Sequence, residues 1–190
     1  QAEATIAGPG AGFQTNANLN AEIAGLGRFS TLVGQELGGG AELAILADIT
    51  PLDGLFKIVL SGQTNNLSVG IAEVDRVLAG RGTVAATAVR DADGTRLESL
   101  RVQTDAASLR ANADLTSDGA QARLNASLRD LALVLPDLSG PAAVSGDVTQ
   151  REDGTISFAL NGTGPAATFE TSGTVTPAEL GQTINAAVSD

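Results

Sequence analysis

Residues 107–115 read ASLRANADL, residues 116–119 TSDG and residues 120–128 AQARLNASL. Ala107, Leu109, Ala111, Ala113 and Leu115 alternate with Ser108, Arg110, Asn112 and Asp114. Ala120, Ala122, Leu124, Ala126 and Leu128 alternate in the same way with Gln121, Arg123, Asn125 and Ser127. A period of two places one set on each face of a strand, so both segments predict half-buried β-strands. Thr116-Ser117-Asp118-Gly119 closes one onto the other. A four-residue loop sets Leu115 opposite Ala120, Ala111 opposite Leu124 and Leu109 opposite Ala126, with large facing small across one apolar surface.

The same pattern extends outward. Thr15, Ala17, Leu19, Ala21 and Ile23 alternate with polar residues. Glu152-Asp153-Gly154 suits a three-residue hairpin loop with glycine left-handed, which pairs Val148 with Phe158. Asp93-Gly94 and Asp53-Gly54 are further turn signals. The fold class predicted is all-β, an elongated array of antiparallel hairpins.

The array repeats internally. Shifted by 60, residues 80–116 overlay 140–176, with Gly80 on Gly140, Val84 on Val144, Asp93-Gly94-Thr95 on Asp153-Gly154-Thr155 and Leu100 on Leu160. A shift of 66 lays Leu43, Ile45 and Ala47 on Leu109, Ala111 and Ala113. A shift of 64 lays Leu67, Val69 and Ile71 on Leu131, Leu133 and Leu135. Residues 1–190 therefore read as one repeat-built segment. Its units of about 60–66 residues start near Ala41, Ala107 and Ala167, with partial copies at both ends. Ile71, Val74 and Leu78 have helical spacing with Gly80 as a stop, and Leu135-Pro136-Asp137-Leu138 predicts a loop or single turn at the matching place. Residues 30–37 predict a short helix capped by Ser30. Over 176–188 the repeat favours a strand, whereas Thr176-Pro177-Ala178-Glu179 favours a helix start.

Composition excludes much chemistry. The 190 residues hold no His, Cys, Met, Trp or Tyr, so thiol nucleophiles, His-based triads, Cys/His metal sites and disulfides are ruled out. Acids outnumber bases 22 to 11, which argues against a nucleic-acid partner, since phosphate neutralisation needs surplus Lys and Arg. No run of 18 apolar residues predicts a spanning helix. Asp91 and Asp93 before Gly94 suggest a calcium loop, but the remaining ligand positions are missing and a hairpin turn explains them. Gly38-Gly39-Gly40 lacks the Lys and Ser/Thr of a phosphate loop. The expectation is no enzyme, no metal and no cofactor.

The informative feature is the apolar face. A closed solenoid or sandwich would cover it; an open sheet would leave a strip about 30 Å wide along nine-residue strands. Leu, Val, Ile, Phe and Ala there would suit acyl chains and offer no selective pocket.

Gly34-Gln35-Glu36-Leu37-Gly38-Gly39, then AELAILADITPLDG at 41–54 and LSVGIAEVDRVLAG at 67–80, resemble the TamB-type translocation and assembly module proteins, which belong with AsmA-like and repeating β-groove lipid-transfer proteins. Residues 95–115 and LPDLSGPAAVSGDV at 135–148 resemble the same family. The resemblance covers most of residues 27–175. It implies a sheet curled into an open taco-like groove with an apolar interior, in a mid-chain piece of a long periplasmic protein. That protein would be anchored in the inner membrane outside this segment and would engage an Omp85-type outer-membrane barrel through other regions. Its implied work is phospholipid movement between the membranes and assembly of outer-membrane proteins, including autotransporters. The alternatives are a structural stalk or adhesin module and a strand-pairing chaperone for outer-membrane proteins. On the registers above, the groove lining predicted is Leu109, Ala111, Ala113, Leu115, Ala122, Leu124, Ala126, Leu128, Val144, Val148, Phe158, Leu160 and Phe169, with phospholipid acyl chains as partner.

Overall fold

The computed structural model describes residues 2–6, 14–34 and 36–176. The conformation expected over 177–188 lies outside them. Among the described residues all strands form one antiparallel sheet in chain order. They are β1 (Ala2–Ile6), β2 (Thr15–Ile23), β3 (Gly38–Thr50), β4 (Leu55–Ser68), β5 (Arg81–Asp91), β6 (Gly94–Thr104), β7 (Ala107–Thr116), β8 (Gly119–Leu128), β9 (Ala142–Arg151), β10 (Ile156–Thr163) and β11 (Thr168–Val175). Each strand pairs only with its sequence neighbours, so the sheet is open and uncurled, with β1 and β11 as its edges. Among the described residues neither a closed solenoid nor a sandwich is formed. The taco-like curl implied by the resemblance is not developed. Curvature in a sheet is introduced mainly by bulges, and the ladders here are interrupted in only two places, at Gly38–Gly40 and around Glu98–Ser99.

The strand ends differ in kind. One end of the sheet carries tight hairpins: residues 51–54, Ala92-Asp93, Ser117-Asp118 and 152–154. The other carries the long connections. Between β2 and β3 lie a 3-10 turn, Leu26–Phe29, and a short helix α1, Ser30–Val33. Between β4 and β5 lies α2, Ala72–Leu78, and between β8 and β9 a 3-10 turn, Leu131–Leu133. Ser30 does not open the helix as a cap. It follows directly on the 3-10 turn, and its hydroxyl accepts from the Leu37 N–H at 2.9 Å, closing the loop instead.

The expected hairpins form in the expected registers. Leu115 faces Ala120, Ala111 faces Leu124 and Leu109 faces Ala126. Thr116 and Gly119 also pair, so the loop is two residues, tighter than the four expected. Val148 faces Phe158, and Gly154, at φ 79°, supplies the left-handed position of its loop.

Shifted by 60 residues, β5, β6 and β7 fall on β9, β10 and β11. The two units keep this spacing by different means. The β9–β10 hairpin spends an extra residue in its loop, where Arg151 N–H donates to Thr155 C=O across 152–154. The β5–β6 loop is one residue shorter, since Asp91 pairs with Gly94, and β6 returns the residue as a bulge at Glu98–Ser99. The bulge lets Leu97 and Leu100, three apart, share a face.

No side chain larger than a methyl group is buried among the described residues; Ala41 alone has its side chain buried. A single sheet has no second layer, so its larger apolar groups are covered only in part, by their lateral neighbours.

Candidate apolar ligand face

Cross-strand partners point to the same side of a sheet, so the registers define rows across it. The middle three rows of one face are apolar almost throughout. One row runs Leu43, Gly62, Val84, Val102, Leu109, Ala126, Val144, Gly162 and Phe169. The next contains Ile45, Leu60, Ala86, Leu100, Ala111, Leu124, Gly146 and Leu160. The third contains Ala47, Ile58, Ala88, Leu97, Ala113, Ala122, Val148 and Phe158. Leu128 flanks these rows at the connector end and Leu115 at the hairpin end. The structure thus places all thirteen sequence-predicted lining residues on one face. They occupy only half of it, because the same alternation in β2 to β6 extends the face to the other edge. Ten strand spacings of about 4.8 Å make it roughly 48 Å across, far wider than an incidental surface patch.

Glycines shape this face. A Cβ on Gly162 would lie 2.0 Å from the Phe169 ring, and one on Gly173 2.7 Å from the Phe158 ring. Gly62 sits likewise beneath Leu43, and Gly146 beneath Leu160, with their terminal carbons 2.5 Å from such a Cβ. In each pair a large side chain lies across the bare backbone of its neighbour, which smooths the surface. Gly146, Gly162 and Gly173 bear no side chain, so periodicity alone did not bring them into the lining.

At the connector end the face deepens into a cavity of about 660 Å³. Val77 and Leu78 of α2, with Leu131, Val134, Leu135 and Leu138, form its roof; Leu109, Leu128 and Val144 lie on the sheet beneath. The spacing Ile71, Val74, Leu78 marked α2 as amphipathic, and Leu78 does face the cavity. Ile71 and Val74 are exposed, and Val77 takes the inward position.

Polar groups fix the roof, Thr104 among them from within the cavity lining. Arg76 donates to the Leu133 carbonyl at 2.7 Å and to Glu73 at 3.0 Å, tying α2 to the next connector. The Thr104 hydroxyl donates to the Val77 carbonyl at 2.8 Å. Asn66 and Gly80 exchange hydrogen bonds at the base of α2: Asn66 N–H donates to Gly80 C=O at 2.7 Å, and Gly80 N–H to Asn66 Oδ1 at 3.0 Å. In the next unit Leu131 N–H donates to Gly140 C=O at 2.7 Å, and Asp130 Oδ1 accepts from Gly140 N–H at 2.9 Å and Ala132 N–H at 3.1 Å. These two N–H groups hold the Asp130 carboxyl below the ordinary carboxylate range. Gly80 and Gly140, equivalent in the repeat, both have positive φ, 82° and 122°.

The other face is wet. Its charged groups include Arg123 and Asp147, paired at 2.6 Å across β8 and β9. Arg96 grips Asp91, and this contact, before the Asp93 N–H, holds the Asp91 carboxyl below its usual range. The Asp91–Asp93 segment is a hairpin turn whose first carboxylate is already engaged.

No protein-family model, curated protein or solved structure matches the chain.

Proposed function

We propose that this chain is a segment of a TamB-type periplasmic conduit whose apolar face carries phospholipid acyl chains between inner and outer membranes. The observation that supports it is the uncovered apolar face, continuous across the sheet with no trap of polar groups in its middle rows. Such a surface holds acyl chains through the hydrophobic effect alone, at about 25 cal/mol per Å² of apolar area covered. Because the lining is uniform along the sheet, each position offers nearly the same free energy, and lipid slides without chemistry. An Omp85-type barrel would receive the outer end through regions other than these. The edges, β1 and β11, favour a second reading in the same compartment, strand addition to nascent outer-membrane proteins.

The experiment is photo-crosslinking in the periplasm without detergent, with the reactive residue at Leu124 on the apolar face or at Asn125 on the wet face. Phospholipid attached at 124 and not at 125 is the expected result. Lipid at neither position overturns the conduit reading, and captured polypeptide at the edge strands would favour strand addition.

A further inference from the structure

The apolar face is not uniform along the strands. At the connector end it is roofed, and the Thr104 hydroxyl is occupied there by the Val77 carbonyl and by the N–H groups of Ala106 and Ala107. At the hairpin end it is unroofed among the described residues, and polar side chains enter the last row: Thr15, Arg90, Thr95 and Gln150. Arg90 shares this row with Phe56 on β4 and Thr95 on β6. It is the one charged residue that the described registers place on the apolar face; Glu98 is unpaired in the bulge. The Arg90 side chain makes no hydrogen bond or ion pair among the described residues and is exposed. The adjacent Asp91 is engaged by Arg96 instead.

We infer that bound phospholipid lies along the strands, with acyl ends beneath α2 and residues 131–138 and phosphate at the hairpin end, where Arg90 contacts it. This rests on the lipid-conduit reading and adds a direction and a phosphate site to it. The dimensions agree. From Ala107 to Leu115 the face measures about 27 Å at 3.3–3.4 Å per residue. One leaflet of a bilayer, headgroup included, is roughly 20–22 Å thick. One lipid therefore fits lengthwise between the roofed cavity and the row of Arg90. An unpaired guanidinium presents forked donors to a phosphate at that level, while the middle rows accept only hydrocarbon. Lateral movement then proceeds strand by strand with the headgroup tracking the open hairpin end.

The test uses this 190-residue chain, whose sequence holds no cysteine. Thr95→Cys and Ala142→Cys, each labelled with a small fluorophore, report on the hairpin end and the connector end. Phosphatidylcholine vesicles supply lipid with a nitroxide either on the headgroup or near the acyl terminus. Headgroup nitroxide should quench the label at 95, and acyl-end nitroxide the label at 142. Arg90→Ala should weaken lipid binding about three- to tenfold, with Arg90→Lys between it and the unmodified chain. The reverse quenching pattern, equal quenching at both labels, or unaltered binding by Arg90→Ala overturns the orientation while leaving the conduit reading intact. Displacement of the lipid by inorganic phosphate at matched concentration would assign Arg90 to free phosphate and likewise overturn it. No quenching at either label removes the conduit reading and this inference together.

Discussion

Replacing Leu124 by arginine separates an uncovered face from a dry core. Leu124 lies in the middle of the apolar rows, opposite Ala111 on β7 and Gly146 on β9, and stays partly exposed. Full burial of a leucine side chain contributes about 1.5–3 kcal/mol, and the sheet covers most but not all of Leu124, which puts the loss near 1–2.5 kcal/mol. With only small neighbours on both flanks, the arginine stem can lie along the sheet while its guanidinium stays in water. No desolvation penalty then adds to the loss. In a closed core the same substitution would bury an unpaired charge and cost at least 3–5 kcal/mol. The chain lacks Trp and Tyr, so the assay is amide exchange of β8, supported by far-ultraviolet circular dichroism. Exchange in β8 should quicken about five- to seventyfold while strand content stays near normal, and lipid crosslinked at neighbouring Ala122 should fall. A local loss above about 3 kcal/mol, or global unfolding, would refute the account of an open face. Undiminished lipid at 122 would refute the assignment of the lining.

Arg76→Ala removes the tie between α2 and the carbonyl of Leu133; at about 1 kcal/mol for such a bond, exchange in the 131–138 connector should quicken roughly fivefold, with β7 and β8 unchanged. Asp130→Ala should release the same connector at the amides of Ala132 and Gly140, whereas Asp130→Asn, which keeps an acceptor oxygen, should preserve most of their protection. Because those N–H groups lower the Asp130 carboxyl below its ordinary value of 3.8, its contribution to folding is present above that value and lost as pH falls through the lowered one. The connector amides should therefore lose protection on acidification below pH 3.8, and loss already complete at about pH 6 would contradict the assignment. Gly162→Val places branched carbon where the Phe169 ring lies. It should displace that ring and quicken exchange in β11, and restoration by a second substitution, Phe169→Ala, is the check.

The central hairpin was legible because three signals agreed: alternation in 107–115 and 120–128, a turn sequence between them, and a register that faced large with small. Ladder pairing across a two- or three-residue loop leaves little freedom, so Leu109–Ala126 and Val148–Phe158 followed. The β6 bulge was not legible. Leu97 and Leu100 are out of phase for a regular strand, and only pairing on both sides, with β5 and β7, returns them to one face. The roof was half legible. Helical spacing marked α2, but which stripe turns inward depends on the tether from Thr104 to Val77 and on Arg76 reaching a connector 57 residues away. Arg90 carries no local signal at all; as a charged residue near a strand end it reads as ordinary surface until the register sets it beside Phe56.

A one-layer sheet explains why conserving phase matters more here than packing a centre. With no second layer, each strand is held by ladder bonds and by the flanks of two neighbours, and stability accumulates pair by pair along the array. A single misphased strand would turn its apolar set to the wet face and break the surface into two shorter strips. The two units meet this demand with unlike devices, an extra loop residue before β10 and a bulge within β6, yet Leu100 and Leu160 end in the same row. The shared requirement is therefore the unbroken row itself, not a particular turn. That is the property a surface for sliding hydrocarbon would need under the proposed conduit function, since one misphased strand would place polar side chains in the way of any acyl chain moving across the rows.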